Sequence, residues 1–282
     1  MAKEIRINNS CILKRRLDIT DIIGNENYGI SYLDENFRRT DDEGEACFTV
    51  LYDKTCIGRG VQVNGIGNKN SIHLAVSLPC TKEDIRLLYN VAGKIASLWK
   101  ARSISVDDND VDVRRLGECI EHDIAMNMEL LNDAPEMFDG GFARLYCATL
   151  PVCVPAEQLQ RYSKDYEEFG KYLHSRQETD VFYSSALFFQ QGDIFCSLYV
   201  VIPDGGFVLP DCPEMAFSED GAEKQCSQAL VAFPGLFPDE NVSTMDFHEF
   251  MDRIPEGKVT RFDCCHKLVS PISVEEFRNI FR

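Results

Sequence analysis

Apolar residues fall at every second position from 72 to 78, as Ile72, Leu74, Val76 and Leu78, which is the period of a strand with one buried face. Over residues 81–100 the period lengthens. Ile85, Leu88, Tyr89, Ala92, Ile95, Ala96 and Trp99 recur three and four apart, which predicts an amphipathic helix with Lys82, Glu83, Arg86, Asn90 and Lys94 on its wet face. Thr81 is placed to cap its free amides, and Asp84, three residues on, is placed to reach back to the cap. A short strand at 103–106 follows, so the three elements make a strand–helix–strand unit.

Upstream, residues 4–7, 10–15, 28–33, 46–51 and 59–63 read as short strands, and residues 17–23 as a turn or two of helix. Asn8-Asn9, the Gly-Asn-Glu-Asn run at 24–27 and the acidic loop at 40–44 separate them. The expectation is an antiparallel meander closed by the strand–helix–strand unit, an α+β arrangement. Downstream, residues 113–131 predict a helix with Leu116, Cys119, Ile120, Ile124, Met128 and Leu131 on one face. The adjacent glycines of Asp139-Gly140-Gly141 mark a joint, which divides the chain into an N-terminal α+β domain at 1–138 and a C-terminal one at 142–282.

In the second half a strand at 144–153 leads to a helix at 156–176 with Leu159, Tyr162, Tyr166, Phe169 and Leu173 in one stripe. Residues 181–190 and 194–202 predict a strand pair joined at Gln191-Gly192-Asp193, and residues 228–233 and 258–264 predict further strands. Ser243 is expected to cap a short helix ending near Arg253, and Ser273 with Glu276 forms a capping box for the last one. The fold class is therefore α+β, as two sheet-plus-helix subdomains.

Gly58-Arg59-Gly60-Val61-Gln62-Val63, the strand ending in Leu78-Pro79, the Thr81-led helix and Ser103-Ile104-Ser105-Val106 are the most distinctive local patterns in the first 110 residues. In these the chain resembles an uncharacterised bacterial family catalogued as a domain of unknown function. Val61 and Ile85 stand where that family tends to carry aromatics. The resemblance implies a cytoplasmic bacterial protein with no known activity, cofactor or catalytic residue.

Composition narrows the classes. No apolar run approaches the about 18 residues of a membrane span, and the first residues lack the apolar core of a signal peptide, so a cytoplasmic protein is expected. The 12 cysteines are scattered, and several, such as Cys47, Cys147 and Cys196, sit inside apolar runs, which reads as reduced thiols packed as small hydrophobes. A net charge of −17, from 46 acidic against 29 basic residues, opposes phosphate backbones and anionic lipid. Nucleic-acid and membrane partners are not expected on that ground; an acidic surface could recognise a basic protein or imitate nucleic acid, and most often such charge keeps a protein soluble.

The sharpest candidate chemistry is Asp107, Asp108, Asp110 and Asp112, which could hold Mg²⁺ or Mn²⁺ for phosphate or sugar chemistry. A calcium loop counted from Asp108 fails, because Val113 stands where glycine is required and Cys119 where the bidentate glutamate belongs. The plainer reading is a solvated linker in which Asp110 or Asp112 caps the next helix. Cys264-Cys265-His266 gathers two soft ligands and an imidazole, but adjacent side chains on a strand point apart, which favours buried thiols.

His248-Glu249 lacks the second histidine of a zinc protease, and His122 with Glu118 one turn before reads as a local helix pair. Gly58-Arg59-Gly60 lacks phosphate-loop spacing, and Trp99 reads as core. No residue is assigned as catalytic or cofactor-binding. The expected function is a non-catalytic protein-interaction module; the alternatives are the metal-dependent enzyme and a small-molecule sensor with a pocket between the halves.

Overall fold

The computed structural model describes residues 1–282 apart from 25, 35–38, 41–45, 140, 193, 220, 221 and 238–240. The chain divides into two units, Met1–Glu178 and Thr179–Arg282. The acidic loop at 40–44, the Asn25, Gly140 and Asp193 turn positions thus lie wholly or partly outside the described residues.

The first unit begins with β1 (Ala2–Asn8), α1 (Ile19–Ile23), β2 (Tyr28–Leu33), β3 (Arg39–Thr40), β4 (Phe48–Asp53), β5 (Val61–Asn64) and β6 (Ser71–Ser77). Then come α2 (Lys82–Leu98), β7 (Ser103–Val106), β8 (Asn109–Asp112), α3 (Leu116–Asn132) and α4 (Ala134–Met137). It ends with β9 (Phe142–Leu145), β10 (Val152–Pro155), α5 (Ala156–Tyr162) and α6 (Tyr166–Gln177). One antiparallel sheet runs in the order β3-β2-β4-β5-β6-β1-β7-β8. Because β1 lies antiparallel to both β6 and β7, those two are parallel to each other and α2 connects them across the sheet. The predicted meander and its closing strand–helix–strand unit are both present, with the N-terminal strand inserted at the middle.

Burial alternates along β1, placing Ile5 and Ile7 with Leu74 and Val76 against Ile85, Leu88, Ala92, Ile95 and Trp99 of the α2 side. Each of the isoleucine, leucine and valine side chains among these contributes roughly 1.5 to 3 kcal/mol. The Thr81–Asp84 capping box that starts α2 is formed. Residues 10–15 do not form the expected strand. Asn9 accepts the Cys11 N–H at 3.0 Å and donates its amide to the carbonyls of Arg15 and Lys69, at 3.1 and 2.9 Å, which turns the chain and leaves Ile12 and Leu13 in solvent.

Residues 142–178, expected to open the second half, lie in the first unit. Buried side-chain amides explain the attachment. Gln177 accepts from Thr149 N and Leu150 N at 2.8 and 3.0 Å and donates to Leu150 O at 2.7 Å. Asn127 of α3 brackets Cys80, accepting its N–H at 3.1 Å and donating to its carbonyl at 2.6 Å, while the Tyr166 hydroxyl donates to the same carbonyl at 2.7 Å. The predicted helix at 156–176 is two helices, because Asp165 caps a new start by accepting the Glu168 N–H at 3.1 Å.

The second unit comprises β11 (Val181–Tyr183), β12 (Leu187–Gln191), β13 (Ile194–Val200), β14 (Gly206–Pro210), β15 (Ala216–Glu219) and β16 (Ala222–Gln225). β17 (Gln228–Pro234), β18 (Val242–Asp246), α7 (Phe247–Arg253), β19 (Val259–Arg261), β20 (His266–Val269) and α8 (Val274–Ile280) follow. Two four-stranded sheets, β11-β14-β20-β19 and β12-β13-β17-β18, share a core of Tyr199, Phe207, Phe233, Phe247, Phe250 and Phe277. The strand expected over 181–190 is cut in two. Ser184 explains the cut: its N–H bonds Val208 O of β14 at 3.1 Å and its hydroxyl bonds Val200 O of β13 at 2.7 Å, so the chain changes sheets there.

Ser243 is not a helix cap. It pairs with Phe233 in β18, and Asp246 caps α7 instead by accepting from His248 N and Glu249 N at 2.9 and 3.1 Å. The Ser273–Glu276 box on α8 forms as read from sequence. Both units are α+β, and among the described residues no helix is long and apolar enough to cross a membrane.

Candidate functional site

The four aspartates lie on the β7–β8 hairpin. Asp107 and Asp108 are its two turn residues, both with positive φ (45° and 63°), the backbone of a type I′ turn that aspartate tolerates better than most residues. Asp107 accepts the Glu4 N–H at 3.0 Å and pairs with Lys3 at 2.7 Å. Asp110 faces Ser105 in the ladder and is exposed. Asp112 caps the turn of helix at 113–115 by accepting the Arg114 N–H at 2.9 Å, and the Arg114 guanidinium bound to it holds its carboxyl below the usual range. None of the four belongs to a convergent set of potential ligand atoms among the described residues.

Lys3 leads from this hairpin to a buried cluster that sequence reasoning missed. Its ammonium pairs with Asp107 at 2.7 Å and with Asp123 of α3 at 2.9 Å, and the Tyr89 hydroxyl donates to Asp123 at 2.5 Å. Burial works to lower the Lys3 pKa, but the bonds and charges of Asp107 and Asp123 outweigh it and leave it raised. Burial, then Asp123, raise the Tyr89 phenol strongly. No spacing signal joins residues 3, 89, 107 and 123, since each comes from a different element. His122 is largely exposed and sits 3.2 Å from Asp123, whereas Glu118 pairs with Arg115 at 2.7 Å.

Gly58-Arg59-Gly60 turns out to be a structural lock. The Asp84 carboxylate, buried at the start of α2, accepts Arg59 N at 3.0 Å, Gly60 N at 2.8 Å, Thr81 N at 3.0 Å and the Thr81 hydroxyl at 2.8 Å. The Arg59 guanidinium bonds Tyr146 O and Pro79 O at 3.2 and 3.1 Å. A Cβ at Gly58 would land on the Asp84 carboxylate, and one at Gly60 would meet Leu51 O at 2.7 Å with φ already +71°.

In the second unit the turn between β19 and β20 assembles Asp263, Cys264, Cys265 and His266. Phe262 N–H closes it onto His266 O at 3.0 Å. Asp263 Oδ1 accepts the Cys265 N–H at 2.8 Å and lies 2.8 Å from His266 Nδ1, while His266 Nε2 lies 2.7 Å from the Tyr183 hydroxyl. A carboxylate oxygen accepts, so Nδ1 donates to Asp263, and Nε2 shares its hydrogen bond with the Tyr183 hydroxyl. Both ring nitrogens are thereby committed, and the imidazole is not arranged as a base for either thiol. The expectation that the two thiols point apart is corrected here: residues 263–265 are bent, not extended, and the sulfurs lie 3.6 Å apart. Burial, then its bond to Cys265, push the Cys264 thiol up to about 12.

Within α7, Glu249 pairs with Arg253 at 2.5 Å. Trp99 is wholly buried in the core of the first unit, as read from sequence. A hollow of about 310 Å³ lined by Met128, Glu129, Asn132, Asp133 and Ser163 opens widely to solvent and gives a small molecule few enclosing walls.

The feature with the plainest outward chemistry is the hairpin β12–β13. β12 is an edge strand, bonded only to β13 among the described residues. Leu187, Phe189 and Ile194 share its outer face by register and are 40%, 36% and 36% exposed. The opposite face carries Phe188 and Phe195, which Phe217 of β15 covers at centroid distances of 4.6 and 5.4 Å. In sequence the hairpin shows only as a run from 181 to 202 with Asp193 as its single charge.

No curated protein and no solved structure matches the chain. The resemblance carried by Gly58-Arg59-Gly60 and the Thr81 helix extends far beyond the first 110 residues: a family model described as a domain of unknown function, DUF4299, matches residues 2–280, and the chain belongs to that family.

Proposed function

We propose that this protein is a non-catalytic, cytoplasmic interaction module that takes an extended, basic segment of another protein as an added strand along β12. The observation that carries the reading is the exposed pair Leu187 and Phe189 on an edge strand of sequence Leu-Phe-Phe-Gln-Gln, with Ile194 of the neighbouring β13 beside them on the same face. Proteins ordinarily blunt such edges with lysine, proline or a bulge, because unpaired N–H and C=O groups recruit another chain. β12 has neither a charge nor a proline. Strand addition supplies backbone hydrogen bonds for affinity and side-chain contacts at alternate positions for specificity. The net charge of −17 favours a basic segment and disfavours a second copy of this chain, which would bring the same charge.

Selection from a display library of unstructured peptides tests this. Enriched peptides are expected to alternate apolar residues with Lys or Arg flanks, and Phe189→Asp is expected to weaken them about tenfold, or about 1.4 kcal/mol. Phe189 is 36% exposed, so the variant is expected to keep its fold, which circular dichroism checks. Enrichment indifferent to Phe189→Asp, or sedimentation showing a dimer that Phe189→Asp dissolves, would remove the reading.

A further inference from the structure

Cys264 and Cys265 differ from the other cysteines in their geometry. Their sulfurs are 3.6 Å apart and both residues are half-buried, so reagents can reach them, whereas Cys80, Cys147, Cys153, Cys196 and Cys226 are buried. The turn that presents them is fixed at three points. The Cys265 N–H is held on Asp263 at 2.8 Å, the Cys265 carbonyl accepts Asp211 N–H at 2.7 Å, and Phe262 N–H closes the turn onto His266 O at 3.0 Å. Two thiols are therefore held side by side before any ligand arrives, which lowers the ordering cost of gripping one centre with both.

We propose that Cys264 and Cys265 form a dithiol site that chelates a thiophilic metalloid centre, a trivalent organoarsenical being the class that fits. The number of donors decides the class. A tetrahedral Zn²⁺ asks for four protein or water ligands and a structural site for four protein ones, whereas an arsenic(III) centre already carrying one carbon substituent needs two sulfurs and no more. The His266 nitrogens do not add to the set, being engaged by Asp263 and Tyr183. Sulfur ligands also select soft centres over the oxygen-seeking Mg²⁺ or Ca²⁺.

With phenylarsine oxide the reaction balances without any redox partner. Two As–S bonds form, the arsenic–oxygen bond breaks, and both thiol protons leave with that oxygen as one water. Arsenic stays trivalent and the sulfurs are not oxidised. The raised pKa of Cys264 does not block the step, since its proton leaves as the bond to arsenic forms.

The test is intact-protein and peptide mass spectrometry of the full chain treated with one equivalent of phenylarsine oxide in excess monothiol. The expected result is one phenylarsenic adduct, on the peptide holding Cys264 and Cys265, released by a small dithiol and lost in both Cys264→Ser and Cys265→Ser. Cys212→Ser, at an exposed single thiol, is expected to keep it. An adduct that survives either of the first two substitutions, maps to other cysteines, or is stripped by monothiol alone overturns the proposal. Circular dichroism of each variant, unchanged from the parent, secures that loss of the adduct reports the site and not the fold.

Discussion

A carboxylate oxygen of Asp84 lies 2.8 Å from the backbone nitrogen of Gly60, joining the first turn of α2 to a loop 24 residues earlier. The same carboxylate caps its own helix through Thr81. One side chain thus fixes both the start of the helix and the path of the glycine loop into β5.

Removing that carboxylate strands several buried donors at once. Asp84→Ala is expected to cost about 3 kcal/mol or more, since each unsatisfied buried group costs about 1 to 3 kcal/mol. Asp84→Asn, which keeps one acceptor oxygen, is expected to cost less. Urea unfolding midpoints at unchanged slope measure both; a loss under 1 kcal/mol for Asp84→Ala, about the cost of a single cap, would contradict the lock.

Gly60→Ala and Gly67→Ala separate backbone strain from crowding. Gly67 has φ +76° with open space around its missing Cβ, so its replacement costs only the left-handed penalty of about 1 to 2 kcal/mol. Gly60 has φ +71° and would press a Cβ against Leu51 O at 2.7 Å, so its replacement is expected to cost more. Equal losses in thermal or urea melts would show that the loop yields.

Stability is expected to fall as pH rises through the alkaline range. Burial pushes the Cys147 thiol from 9.0 up to about 12. Between those values the unfolded chain gives up the proton and the folded chain keeps it, so folding weakens by about 1.4 kcal/mol per pH unit from this group. Lys3 and Tyr89 act with the same sign, because a folded pKa raised above the unfolded one favours folding only below the unfolded value. Cys147→Ala is expected to flatten the curve of unfolding free energy between pH 9 and 12, and an unaltered slope would argue against burial of the thiol.

Much of the fold could be read from residue order. The period-two run through Ile72 and Val76, the α2 stripe ending at Trp99, and the Thr81–Asp84 and Ser273–Glu276 boxes are local patterns, and all of them form. What was illegible depends on distant partners. Asn9 ends β1 through Lys69, Ser184 switches the chain between β14 and β13, and Gln177 ties α6 to Thr149 and Leu150. The side-by-side thiols of Cys264 and Cys265 escaped because alternation holds only for extended backbone, and the bend there is set by Asp263. The β12 surface escaped because a hydrophobic run does not announce which of its faces is covered.

The hairpin aspartates are expected to serve the turn, the Lys3 cluster and the Arg114 cap. Calorimetric titration with Mg²⁺ or Mn²⁺ is expected to give no saturable heat that Asp108→Asn with Asp110→Asn abolishes. Asp112→Ala is expected to cost about 1 kcal/mol through the lost cap; a saturable, aspartate-dependent site would favour the metal enzyme.

The most direct measurement is amide hydrogen exchange over residues 187–191 with and without a selected basic peptide. Strand addition predicts that exchange slows there, on the edge of the sheet, while the amides of α2 are unchanged. Unaltered exchange at 187–191 under saturating peptide would contradict the claim that β12 is where this protein meets its partner.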